Sequence, residues 1–79
     1  MDKKYNLYLI EIGLNVHRYR KLKSLTQEEL AEKADVSRHT ISNIENADKF
    51  QSMSLSTLFK IAEALEIPVK KLFDFREDD

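Results

Sequence analysis

The 79-residue chain carries 13 Lys/Arg against 14 Asp/Glu, with one glycine, one proline and no cysteine. Disulfides and thiolate metal sites are therefore excluded, and His17 and His39 stand far apart in sequence with no second ligand at metal spacing, so no metal or other cofactor is expected. No apolar run approaches the roughly 20 residues of a membrane span, and the N-terminus lacks the apolar stretch of a signal peptide, so a cytoplasmic protein without membrane contact is expected.

The scarcity of glycine and proline leaves little turn punctuation for strands and predicts helices joined by short turns. Tyr5, Tyr8, Leu9, Ile12, Val16 and Tyr19 recur at helical spacing and predict a first helix from about Tyr5 to Lys23, loosened at Gly13. Leu7, Ile10 and Leu14 form a second apolar line nearly opposite the first. Thr26 with Glu29 three residues on reads as a capping box, opening a short second helix that ends at Asp35 and turns Leu30, Ala31 and Ala34 inward. Ser37 caps a third helix, Arg38 to about Asn46, whose only apolar pair is Ile41 and Ile44. A polar loop, 46–53, leads to Ser54 and a fourth helix, Leu55 to Leu65, expected to bury Leu55, Leu58, Phe59, Ala62 and Leu65. Pro68 opens a fifth helix to Asp74, with Val69, Leu72 and Phe73 facing inward. Tyr5, Tyr8, Tyr19, Phe59 and Phe73 are read as core aromatics.

The joint between the second and third helices carries the functional signal. Two helices joined by a three- or four-residue turn and crossing steeply need a small residue at the closest approach, apolar residues in the wedge, and a residue that tolerates left-handed backbone in the turn. Ala31 meets the first demand, and Leu30, Ala34, Val36, Ile41 and Ile44 meet the second. Asp35 fills the turn position that most often takes glycine. The remaining positions of the third helix, Arg38, His39, Thr40, Ser42 and Asn43, are all polar. Charge does not contradict a nucleic-acid partner: residues 1–43 carry 8 Lys/Arg and 6 Asp/Glu, whereas residues 44–79 carry 5 and 8. DNA binding needs a local positive surface rather than a basic chain.

These residues resemble a known family. Leu25-Thr26-Gln27-Glu28-Glu29-Leu30-Ala31-Glu32-Lys33-Ala34, Val36-Ser37-Arg38 and Ile41-Ser42-Asn43-Ile44-Glu45 look like the phage repressor and Cro type of helix-turn-helix domain, the XRE-like regulators. The likeness continues through Lys60-Ile61-Ala62-Glu63-Ala64-Leu65, Ile67-Pro68-Val69 and Leu72-Phe73, covering about residues 12–73. It implies an all-α, single-domain, five-helix fold of the lambda-repressor-like type. Residues 1–11 would extend the first helix, 12–74 would form the helix-turn-helix domain, and 75–79 would be a tail. The third helix would then lie in the major groove. Arg38, His39 and Asn43 match base-reading positions, with Arg suited to guanine and Asn to adenine. Ser37, Thr40 and Ser42 would reach phosphate or a nearby base, Gln27 would hold a phosphate at the start of the second helix, and Asn46 and Lys49 would touch the backbone. Arg20 matches a position that pairs with Glu45. Three departures stand out: Asp35 for the turn glycine, Ala47 for the glycine after the third helix, and a loop about two residues longer than usual without its frequent proline.

The resemblance thus implies a transcriptional regulator, a repressor acting on double-stranded operator DNA as a homodimer. Phage-type repressor, restriction-modification controller and antitoxin are the roles it admits. Because the sequence stops just after the fifth helix, no ligand-sensing domain is expected, and regulation would act through concentration, oligomerisation or a protein partner. The self-association surface is expected from Leu7, Ile10 and Leu14 together with Phe75, unless the tail folds back over that line. The rival class is a protein-interaction module that keeps the fold without DNA binding. An enzyme is not expected: Ser37 and His39, two apart at a helix start, diverge and cannot act as nucleophile and base, and no glycine-rich phosphate loop occurs.

Overall fold

The computed structural model describes residues 3–46 and 53–75. Thr26, Ser37 and Ser54 each hold extended backbone and accept the N–H three residues on, at 3.0, 3.0 and 3.2 Å. They open α2 (Gln27–Ala34), α3 (Arg38–Glu45) and α4 (Leu55–Leu65), which follow a long α1 (Lys3–Leu22). At Thr26 the box is complete, because the Glu29 carboxylate accepts the Thr26 N–H at 2.9 Å.

The helix ends explain how the chain manages with one glycine. Ser24, Asp35 and Glu66 take left-handed backbone, at φ 59°, 57° and 59°. Each is followed by an apolar residue whose N–H reaches back five residues, Leu25 to Arg20, Val36 to Ala31 and Ile67 to Ala62, at 3.0–3.1 Å. Leu25, Val36 and Ile67 all pack on the core, so burial of the following side chain offsets the strain that glycine would have avoided.

α1 runs unbroken through Gly13 rather than loosening there. The reason is a close approach: a Cβ at Gly13 would lie 2.1 Å from the carbonyl oxygen of Ile44, so the bare backbone lets α3 pack directly on α1. The core between them comprises Ile12 and Val16 of α1, Leu30, Ala31 and Ala34 of α2, Ile41 and Ile44 of α3, Leu58, Ile61, Ala62 and Leu65 of α4, and Leu72.

Among the described residues there are four α-helices, not five. The expected fifth is a short 3₁₀ helix, Val69–Phe73. Pro68 stays extended at ψ 141° and so precedes the helix instead of forming its first turn. The buried side chain of Asn15 on α1 then captures two carbonyls, donating to Leu72 at 3.0 Å and Asp74 at 3.2 Å. Its own oxygen accepts from Arg18 Nη2 at 2.8 Å.

α4 buries Leu58, Ala62 and Leu65 as expected, but Ile61 takes the place expected of Leu55 and Phe59. Leu58, Ile61, Ala62 and Leu65 face inward, and Phe59, about 110° round the helix from the middle of that stripe, is 53% exposed. Leu55 and Phe73 also lie outward. Tyr19 packs against the core, Tyr8 is only half covered, and the side chain of Tyr5 lies outside those described. Phe75 does fold back, but it stacks on Tyr8 with ring centroids 5.6 Å apart and leaves Leu7 and Leu14 exposed at 64% and 51%.

A candidate nucleic-acid interface

α3 is clamped from behind. The side chain of Glu45, at its last turn, is 3% exposed, and its carboxylate receives both ends of the Arg20 guanidinium: Nε to Oε2 at 2.7 Å and Nη2 to Oε1 at 2.8 Å. Oε1 also accepts from His17 Nδ1 at 2.9 Å and from Gln27 Nε2 at 3.2 Å. The third guanidinium nitrogen of Arg20 donates to the carbonyl of Leu25, in the turn between α1 and α2, at 2.8 Å. One carboxylate therefore ties α1, the start of α2 and the end of α3 together. Burial pushes the Glu45 carboxyl up, but the hydrogen bonds from Arg20, His17 and Gln27 outweigh it and hold it below the usual carboxylate range. Bonded to Glu45, the Arg20 guanidinium is raised further.

The other side of α3 is open. Arg38 and His39 are exposed, and Thr40, Ser42 and Asn43 are half-buried. Arg38, Ser42 and Asn43 recur at i, i+4 and i+5, with His39 beside them, which sets one polar strip along the helix. Within it the Asn43 amide nitrogen lies 3.0 Å from His39 Nε2. Ser37 is committed to its cap, and its hydroxyl also bonds that of Thr40 at 2.9 Å. Asn46 follows at the C-cap, exposed. Lys49 and Ala47, in the loop where sequence departs from the family pattern, lie outside the described residues.

Gln27 and Arg38 meet across a cleft of about 520 Å³. Arg20 and Lys21 from the end of α1, Ser24 and Leu25 from the turn after it, and Thr26 and Glu28 at the start of α2 complete its walls. The α2 N-terminus brings unsatisfied N–H groups and the positive end of a helix dipole to the same place. Such a cleft suits one anionic oxygen cluster. Two participants escape sequence reasoning. His17 has no recognisable motif, although its i, i+3 spacing to Arg20 puts both on one face of α1. Lys21 reads as a solvated lysine until the fold sets it beside Gln27 and Arg38.

Two short helices joined through a left-handed turn, the second buried on one side and polar on the other, define a helix-turn-helix domain. Residues 16–72 match the family model described as Helix-turn-helix (HTH_3), and the chain belongs to that family of transcriptional regulators. An HTH-type transcriptional regulator of Methanocaldococcus jannaschii is 41% identical over 61 residues, 77% of this chain and 89% of that protein. The crystal structure of the restriction-modification controller protein C.AhdI from Aeromonas hydrophila superposes with a TM-score of 0.76 at 31% identity, covering 82% of this chain and 96% of that one. C.Esp1396I bound to a 19 base pair DNA duplex superposes with a TM-score of 0.75 at 28% identity, covering 85% and 87%. Among the described residues, no helix is long and apolar enough to cross a membrane.

Proposed function

We propose that this protein is a sequence-specific DNA-binding regulator that represses transcription by occupying an operator as a homodimer. The observation that carries this reading is the contrast between the two sides of α3: Glu45 locked by three partners behind, Arg38, His39 and Asn43 open in front. A helix held rigidly at its base and polar along its free face suits insertion into the major groove, where base edges present a distinct donor and acceptor pattern.

In this reading Arg38 bonds bidentately to guanine and Asn43 to adenine. His39 and Ser42 lie beside them. Gln27 donates one amide hydrogen to Glu45 and keeps the second for a backbone phosphate in the cleft, with Lys21 adding positive charge. Ser37 and Thr40, already bonded to each other, contribute through the helix start they cap, and Asn46 and Lys49 contact the backbone further along. One such domain reads only a few base pairs, which favours two copies on a two-fold-related site. Exposed apolar side chains for self-association stand on α1 (Leu7 and Leu14) and on α4 (Leu55 and Phe59).

Selection of bound duplexes from a random pool tests the proposal. Enrichment of one motif with two inverted half-sites, and affinity that falls steeply with salt, is the expected result. Salt-dependent binding without any enriched motif, or no binding at all, would overturn it and favour the protein-interaction module.

A further inference from the structure

The bond between Asn43 and His39 points to a division of labour on the face of α3. An asparagine amide offers two opposite patterns to a base edge, and a 180° turn about its last bond exchanges them. With one N–H committed sideways, it presents its other N–H and its oxygen, which matches N7 and the amino group of adenine. With the oxygen committed sideways, it presents hydrogens alone, which matches N7 and O6 of guanine. Something must choose between these states.

In this protein the amide nitrogen of Asn43 faces His39 Nε2 at 3.0 Å, one helical turn back on the same strip. For that contact to be a hydrogen bond, Asn43 donates and Nε2 accepts, so the ring proton sits on Nδ1. The bond joins side chains four residues apart in a helix anchored at both ends: Ser37 caps its start and the Arg20–Glu45 pair fixes its last turn.

We infer that His39 is a specificity-positioning residue, whose Nε2 holds the Asn43 amide in the orientation that selects adenine over guanine. This rests on the reading of α3 as the recognition helix and adds that two of its residues act as one unit. His39 then influences a base pair that Asn43 reads, whether or not its own ring also touches DNA through Nδ1–H.

The test is the base preference at each operator position, measured by competition with single-base variants of the selected site. Asn43→Ala first locates the pair that Asn43 reads. His39→Leu, which removes the acceptor, should reduce the adenine-over-guanine preference at that same pair by roughly three- to ten-fold, within the range one bidentate contact supplies. Preference at the Arg38 pair should stay intact. His39→Gln, whose side-chain oxygen can accept the same N–H, should restore much of the adenine preference, and His39→Leu should add nothing at that pair once Asn43 is alanine. Relaxation by His39→Leu only at a different pair, or at none, overturns the inference while leaving the recognition helix in place. If Asn43→Ala itself changes no preference, Asn43 reads no base and the inference fails; the recognition-helix reading falls with it only if Arg38→Ala changes none either.

Discussion

Adding one methyl group at Gly13 sets two effects against each other. Alanine is favoured over glycine inside a helix by about 1 kcal/mol, so propensity alone says that Gly13→Ala stabilises α1. Packing says the reverse. The new Cβ would lie 2.1 Å from the Ile44 carbonyl oxygen and 3.2 Å from its carbon, where real contacts keep roughly 3.0 Å or more. Both atoms are backbone, so no side-chain rotation relieves the clash, and α3 must retreat by close to an ångström. Overpacking of a filled core costs about 1–3 kcal/mol. The upper end applies here, because the retreat also strains Glu45, whose Cα lies 3.8 Å from the same point. Set against the propensity gain, the net loss is about 2 kcal/mol. For a domain of this size that lowers Tm by roughly 8–16 °C, readable by circular dichroism. The folded variant should also bind DNA more weakly, since α3 no longer sits where Arg20 and Gln27 hold it. An unchanged or raised Tm would refute the close-approach argument and leave propensity as the dominant effect.

Two further predictions follow from the same architecture. A carboxyl lowered in the folded state, as in Glu45, gives stability that is full above its unfolded value, near pH 4.3, and is lost as pH falls through the lower folded value. Urea unfolding from about pH 7 down to pH 3 should record that loss in the wild type and a flatter profile in Glu45→Gln; parallel profiles would contradict the role given to Glu45. At the helix ends, Glu66→Gly should raise stability by about 0.5–1 kcal/mol, the left-handed strain relieved less the extra freedom of unfolded glycine. Asp35→Gly should gain less, because aspartate tolerates that backbone better. A loss at both positions in chemical denaturation would count against the strain.

Local signals were legible and long-range choices were not. Thr26, Ser37 and Ser54 cap helices where a hydroxyl precedes a helical apolar pattern, because capping depends on three or four consecutive residues. Arg20–Glu45 was reachable only through family resemblance, since 25 residues separate the partners. In α4, Leu55, Leu58, Phe59, Ile61, Ala62 and Leu65 admit more than one inward stripe. The choice of Ile61 over Phe59 depends on how α4 sits against the rest of the core. Nothing in the C-terminal segment itself announces that Asn15, 57 residues upstream, captures its carbonyls. On the candidate interface the polar strip of α3 was readable from composition. The cleft was not, because Lys21, Gln27 and Arg38 belong to three different helices.

The central claim is that α3 reads sequence while the cleft at the start of α2 holds backbone. Comparing per-position base preferences of Arg38→Ala, Asn43→Ala and Gln27→Ala at one salt concentration tests it most directly, and Arg38 is the demanding case because it also borders the cleft. Arg38→Ala should lose roughly 1–3 kcal/mol of discrimination at one base pair per half-site. Asn43→Ala should do the same at another pair, and Gln27→Ala should weaken all sequences alike. If Arg38→Ala and Asn43→Ala both weaken every sequence equally and keep the wild-type preferences, α3 does not read DNA sequence.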